Sequence, residues 1–413
     1  MHRPTLGLAF LCVFLRTDQL ALQAQEFKLF DRTVQVHGFA SQGFIYTDDN
    51  NWLTMNTSQG SGAFTDFGLN LTSRVTDRLL VGAQGYDRNL GQIGQYHPSL
   101  DWAVADYRFR DWFGVRGGKV KTRLGLYNDT QDLDFLRPFA LLPQSVYPTD
   151  IRDATIAHVG GDIYGTLSLK QGLGDLSYTV YAGHRSDSIY SGYPYLLTQF
   201  GTHFTSFGGL QYGGDLRWNT PAKGLLIGAS RLDQDTTGKG TSVSPFNPTA
   251  GIIPYSESSK ADWTNQFYSQ YARGKLHIDS ECRRYVRDQL IFGGTSENLD
   301  DVRGWYVAGA YRIIKRLELG SYYSRYSITT LDFGALAGIP PNQTDTGLPA
   351  NHVYDKVITG RVDLNKFWNV KVEGHFMNGY GSSTYPDGFY PQVNPEGFKP
   401  NTNALVLKTG VYF

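Results

Sequence analysis

Residues 275–286 read KLHIDSECRRYV, and their side chains divide into two sets. Leu276, Ile278, Ser280, Cys282 and Arg284 share one face of an extended chain, and His277, Asp279, Glu281, Arg283 and Tyr285 share the other, because successive residues of a strand point to opposite sides. Residues 367–377, FWNVKVEGHFM, repeat the division, with Trp368, Val370, Val372, Gly374 and Phe376 opposing Asn369, Lys371, Glu373 and His375. In 64–75, Phe67, Leu69, Leu71 and Val75 oppose Asp66, Asn70, Thr72 and Arg74. A soluble sandwich also alternates, so a single strand decides nothing. The same dyad in nearly every segment, with none apolar on both faces, leaves no room for a separate buried core. Lipid takes the apolar face and water the polar one, an arrangement that strands achieve only as a closed barrel.

Outward from these segments the pattern runs from residue 33 to 413. Short connections (Thr76-Asp77-Arg78, Asp111-Trp112, QGLGD at 171–175, TPAKG at 220–224, Gly274, Lys315-Arg316, Asn365-Lys366) take turns with long ones at 89–99, 128–154, 186–207, 234–264 and 328–352. The expected fold is all-β: a transmembrane antiparallel β-barrel of about 16 strands, with short periplasmic turns, long extracellular loops and periplasmic termini. Segments 33–46 and 225–233 do not phase cleanly, which bulges would explain. Trp112, Trp218, Trp368, Tyr412 and Phe413 fall beside turns or at the chain end, where an aromatic girdle is expected.

Composition agrees. The chain is rich in Tyr (27), Phe (24) and Gly (47) and poor in Met (3), which suits pleated surfaces and tight turns. Mean hydropathy is −0.34, low for a membrane protein built of helices but expected where only alternate residues meet lipid. Lys+Arg and Asp+Glu balance at 38 each, so bulk charge gives no reason to expect nucleic acid as a partner. The one long apolar run, LGLAFLCVFL at 6–15, follows His2 and Arg3 and precedes Ala21 and Ala24. Residues 1–24 therefore read as a signal peptide and 25–413 as the barrel, although Arg16 and Asp18 interrupt the leader's tail. With Cys12 in the leader, Cys282 is left without a disulfide partner and is expected to face lipid.

Two stretches resemble known families. Leu405, Leu407, Val411 and the terminal Phe413 resemble the assembly signal of outer-membrane barrels, departing from it at Thr409. Residues 115–148, VRGGKVKTRLGLYNDTQDLDFLRPFALLPQSVYP, resemble porins of the phosphate-selective porin O/P type and related porin-like proteins. Lys121-Thr122 and Leu124-Gly125 match the strand that leads into a long loop there, while Arg123 stands in the usual proline position. The resemblance implies a pore. It carries over no phosphate-binding arginines position by position.

No nucleophile elbow, zinc-protease helix, phosphate loop or paired-cysteine motif occurs, so no catalytic residue, metal site or cofactor is expected. His277, Asp279 and Glu281 share a face simply through their spacing of two, which reads as a solvated lumen face. Parity places Arg74, Arg108, Arg217, Arg283, Arg361 and Lys371 in the lumen, with Arg88, Arg185 and Lys408. They slightly outnumber the acidic residues on that face, so a mild anion preference is expected. Loop 128–153 is the candidate constriction. Lys119, Lys121 and Arg123 precede it, Asp129, Asp132, Asp134 and Arg137 lie within it, and opposite charges across a narrow passage would set up a transverse field. Its apolar residues Phe135, Leu136, Phe139, Leu141, Leu142, Val146 and Tyr147 need a wall to pack on.

The expected function is an outer-membrane porin, not an enzyme, passing small hydrophilic solutes or ions, with the bilayer as partner and a homotrimer as an assembly it allows. Two alternatives are an outer-membrane barrel hydrolase, with His, Asp and Ser gathered at the mouth, and a secreted soluble β-protein binding carbohydrate through its aromatics.

Overall fold

A computed structural model describes residues 25–29, 32–243, 251–332, 347–381 and 388–413; the expected leader, 1–24, lies outside the described residues. A short strand, β1 (Gln25–Leu29), pairs with the start of β2 (Arg32–Thr47). The chain continues through β3 (Ser61–Arg74), β4 (Leu79–Leu90), β5 (Ser99–Arg110), β6 (Phe113–Lys121), β7 (Ala157–Ser168), β8 (Asp175–Ser186) and β9 (His203–Asn219). Then follow β10 (Leu225–Val243), β11 (Ile252–Arg273), β12 (Leu276–Ile291), β13 (Ser296–Ile314), β14 (Leu317–Asp332), β15 (His352–Asp363), β16 (Trp368–Asn378) and β17 (Asn401–Tyr412). Each strand from β2 onward pairs antiparallel with the next, and β17 pairs with β2, closing a barrel of 16 strands. Closure satisfies every strand edge, which lipid demands. At the seam the amide of Gly38 donates to Phe413 O (3.1 Å) and that of Phe413 to Gly38 O (2.9 Å). β1 then occupies the edge of β2 beyond the chain end, through Val36↔Gln25 to Arg32↔Leu29.

The two faces divide as the dyad requires. On β12, Leu276, Ile278 and Cys282 are exposed outward, whereas Asp279, Glu281 and Tyr285 are buried inward. A bulge between Gly43 and Ile45 explains the poor phasing of β2. In β10 the irregularity lies beyond Asp233, where three residues separate successive pairings to β11. Trp112 (55% exposed) and Trp218 stand outside as girdle residues should. Tyr412 does not: it turns inward and stacks on Phe135 at 4.3 Å. Thr409 has a reason to be polar, because its hydroxyl accepts Trp368 Nε1–H at 2.6 Å and donates to Asn369 O at 3.1 Å.

The connection expected at 234–264 is mostly strand. β10 and β11 continue paired from Thr237↔Ser258 to Val243↔Ile252. Both faces of this extension carry polar residues, so the apolar/polar dyad fades while the backbone ladder persists. That is why hydropathy ended these strands too early.

Candidate functional site

The lumen is crossed by loop 122–156, which leaves β6 and returns at β7. Three short 3-10 turns, Asn128–Thr130, Asp134–Leu136 and Thr149–Ala154, shape it. Strands satisfy their own backbone groups, but a buried irregular loop cannot, so the barrel wall must. Arg217 donates to Gly125 O (2.6 Å), Arg283 to Val146 O (3.0 Å), and Arg361 to Phe135 O (2.6 Å) and Arg137 O (3.2 Å). Lys371 donates to Asp134 O (2.6 Å) and Phe139 O (3.0 Å). Wall carboxylates take the amides: Glu373 accepts from Ala140 N (2.9 Å) and Leu141 N (3.3 Å), and Glu281 from Leu126 N (3.0 Å). Glu281 also accepts Tyr147 Oη (2.7 Å) and Tyr306 Oη (2.6 Å), a buried knot joining loop to wall. The solvated reading of Glu281 is thereby corrected: the loop covers that stretch of lumen.

The apolar run packs as its composition demands. Phe139, Leu142, Val146 and Tyr147 bury against Tyr306, Ala308, Tyr322 and Val357 of the wall. Leu136 is the exception, at 59% exposed.

The candidate constriction charges come together, but as contact pairs. Lys121 lies 2.5 Å from Asp132 and 3.2 Å from Asp101, and Arg152 lies 2.8 Å from Asp101. Arg123 pairs with Asp129 at 2.8 Å. Asp134 sits between Lys408 (3.1 Å) and Lys371 (3.6 Å); burial pushes its carboxyl up, yet these two ammonium groups hold it well below the usual range. Arg137 turns back on its own loop, donating to Thr130 O and Gln131 O, both at 2.9 Å. Lys119 does not join them. It pairs with Val159, which is 58% exposed on the outer face, and donates to Leu100 O at 2.6 Å. The pairing with β5 and β7 runs unbroken from Val115 to Lys119, so Lys119 shares the outer face with Val115, and its assignment to the lumen is corrected. Arg74 and Arg108 lie near the short-turn rim, where Arg74 donates to Asp77 O (3.4 Å) and the backbone amide of Arg108 to Arg78 O (2.9 Å).

A second layer was not anticipated. On the long-loop side, residues from 48–60, 187–202 and 388–400 fold over the docked loop and share an apolar core that includes Trp52, Leu53, Leu196, Phe389 and Tyr390. Leu53 N donates to Gly388 O (2.7 Å), Gln392 to Tyr195 O (2.8 Å), and Asn394 to Asn51 O (3.0 Å). Asp150 of the docked loop ties the layers, accepting Tyr390 Oη at 2.6 Å and Gly388 N at 3.1 Å; burial pushes its carboxyl up. Trp52 sits edge-on over His375, 5.1 Å between ring centres. The signal was in the sequence: apolar residues in WLTM (52–55) and FYPQV (389–393) need a wall as much as those of 135–147 do.

Among the described residues, cavities lie around the docked loop. One of about 650 Å³ includes Gln131, Tyr147, Arg185, Asp262, Arg283 and Arg287 in its lining. A second, of about 560 Å³, lies by Arg137, Leu142, His277 and Asp279. The third, about 470 Å³, shares Gln131 and Tyr147 with the first and Arg137 and Leu142 with the second. Residues of the docked loop line all three. Among the described residues no group of three or more His, Cys, Asp or Glu is placed to hold a metal ion.

No family model matches the chain, and no curated protein matches it. Solved structures do. The outer-membrane expressed OmpT of Vibrio cholerae aligns over 94% of this chain and 100% of its own, at 11% identity and a TM-score of 0.55. Salmonella typhi OmpF, in a complex with daunomycin, aligns over 94% and 100% at 12% identity and 0.54. An anion-selective porin from Comamonas acidovorans aligns over 92% and 100% at 11% identity and 0.52. At such identities the likeness is one of fold, covering nearly the whole of each chain. The chain has the closed architecture of the outer-membrane, porin-like β-barrels.

Proposed function

We propose that this chain is an outer-membrane pore through which small hydrophilic solutes diffuse, with loop 122–156 as its size filter. The observation that carries the proposal is the docked loop itself. It is held across the lumen by wall side chains on several strands, yet polar cavities sharing walls lie beside it. A catalytic barrel would instead need an accessible His, Asp and Ser set at the mouth, and His375, bonded to Asp355 (2.8 Å) and Glu373 (3.0 Å), is wholly buried. Residues 1–24 act in this reading as the export signal.

A mild anion preference belongs to the same proposal. Among the described residues Arg283 donates to a backbone carbonyl and forms no ion pair, whereas Arg217, Arg361 and Lys371 also pair with Asp215 (2.9 Å), Asp363 (2.7 Å) and Asp134 (3.6 Å), so the bias is small. Phosphate selectivity, which the resemblance at 115–148 does not establish, would be a narrower form of that preference. It would need cations free to bind phosphate, and these four already hold the loop.

Reconstitution in planar bilayers tests the proposal. Discrete single-channel steps are expected, with uncharged sugars excluded above a sharp size limit and a reversal potential in a KCl gradient that favours chloride. Absence of conductance from folded, inserted protein would sink the pore; a cation-favouring potential would sink the anion preference alone. The mass of the detergent-solubilised protein tests the homotrimer.

A further inference from the structure

The outer surface holds a feature that a diffusion pore does not need. Adjacent strands carry a row of basic residues facing away from the lumen: Arg231 on β10, Arg284 on β12, Arg303 on β13, Arg325 on β14 and Lys356 on β15. The register aligns them. Arg231 faces Asn265, Asn265 faces Arg284, and Arg284 faces Arg303; Arg325 lies across from Trp305, two residues along from Arg303. Between this row and the short turns the outward positions are uncharged, except Arg273 at the turn end of β11. On β12 they are Leu276, Ile278, Ser280 and Cys282, with Arg284 next. The row thus marks the long-loop edge of the apolar band.

The local chemistry leaves cationic charge to spare. Asp301 serves two guanidinium groups at once, those of Arg284 and Arg303, each at 3.0 Å. Arg231 pairs with Asp233. Among the described residues no carboxylate comes within ion-pair distance of Arg325 or Lys356. Aromatic rings hold the guanidiniums in place: Trp263 lies beneath both Arg231 (4.7 Å) and Arg284 (5.4 Å), and Tyr354 beneath Arg325 (4.1 Å). Arg284 is 50% and Arg303 63% exposed, so their remaining donors face outward. The row does not continue around the barrel. Next to Lys356 the outward residues are Phe376 on β16 and, across from it, Asn403 on β17, with Asn378 and Asn401 beyond, all uncharged.

Charged side chains on the lipid face of a barrel are costly at mid-membrane and tolerated at the interface, where they meet headgroups. An exposed guanidinium braced on a ring matches phosphate by planar, two-pronged donation. We propose that this row is a binding surface for phosphorylated lipid headgroups of the leaflet on the long-loop side. The inference rests on the bilayer-spanning reading of the barrel and not on solute passage.

The test uses the full chain, folded and purified in neutral detergent, with diphosphoryl lipid A as the probe. Retention through gel filtration, read by native mass spectrometry, is compared with that of a variant carrying Arg284→Gln, Arg303→Gln, Arg325→Gln and Lys356→Gln. The parent should retain the lipid at least about tenfold more tightly than the variant. A dephosphorylated analogue should bind both equally weakly, and millimolar inorganic phosphate should not displace the lipid. All four positions are on the outer face, so heat-modifiable mobility and conductance should stay those of the parent, which separates this test from that of the pore. Equal retention by the variant, equal retention of the dephosphorylated analogue, or displacement by free phosphate would each overturn the proposal.

Discussion

Lys371 shows how a lumen residue can be right in place and different in role. It is fully buried, with its ammonium on two loop carbonyls and 3.6 Å from the carboxylate of Asp134. Strand parity reads its direction, but no periodicity says that a loop carbonyl rather than water waits there. Two loop carboxyls then respond to pH in opposite senses. Asp134 is held below an ordinary Asp, so its contribution to the docked state persists down to about pH 4 and is lost only as pH falls toward its depressed value. Asp150 is pushed up by burial, so the docked state takes up a proton that a released loop, titrating near ~3.9, would not. Its contribution is therefore gained as pH falls through the raised value and lost as pH rises through it. Between neutrality and about pH 4 Asp134 is unchanged while Asp150 takes up its proton, and that uptake tightens docking. Amide exchange of 122–156 measured across that range should slow toward acid in the parent, and slow less in Asp150→Asn. Faster exchange toward acid in the parent would contradict the assignment.

At the scale of the element, loop 122–156 was legible in part. Its apolar run announced a packing surface, and the proximity of Lys121 and Arg123 to its acidic residues was sound. What could not be read was distance. Charges expected to face each other across water are in contact instead, because wall donors pull the backbone inward until the side chains meet. Lys119 was misplaced by grouping it with Lys121: it shares the outward face of β6 with Val115, and only Lys121, at the strand's end, turns to the loop. In the proposed pore, a loop held at so many points would be a fixed filter and not a swinging gate, and that distinction can be tested. Ser324 Oγ donates to Ser145 Oγ at 2.7 Å, joining β14 to the loop. Cysteines at both positions should link on oxidation, since Cys282 faces outward and does not compete. If the loop stays docked while the pore conducts, Ser145→Cys/Ser324→Cys should conduct alike before and after oxidation. A large fall in current on oxidation, restored by reductant, would show that conduction requires the loop to leave the wall.

Across the whole molecule, the barrel was written plainly because each strand crossing repeats one rule: apolar outward, polar inward, a turn at each end. The layer over the mouth was not, because its parts lie far apart in sequence and none is periodic. Loops 48–60 and 388–400 meet only once the barrel has closed and brought the start of β3 near that of β17. There Trp52, 1% exposed, fills the space between the loops and the lumen, with its ring over His375 and its indole against Gly388. Gly388 has φ +81°, and a Cβ there would come within 2.4 Å of the indole nitrogen, so ring and backbone are fitted to each other. Removing the ring should cost the layer about 3–5 kcal/mol, the usual penalty for deleting a buried Trp. The strand ladder does not depend on it, so Trp52→Ala should still assemble and keep its heat-modifiable mobility while the loops loosen. Should the apolar layer be the narrow point on the long-loop side, single-channel conductance rises and the sugar size limit relaxes, although loop 122–156 is untouched. A folded Trp52→Ala barrel with the parent's conductance and size limit would mean that solutes pass beside this layer, leaving the docked loop as the sole filter.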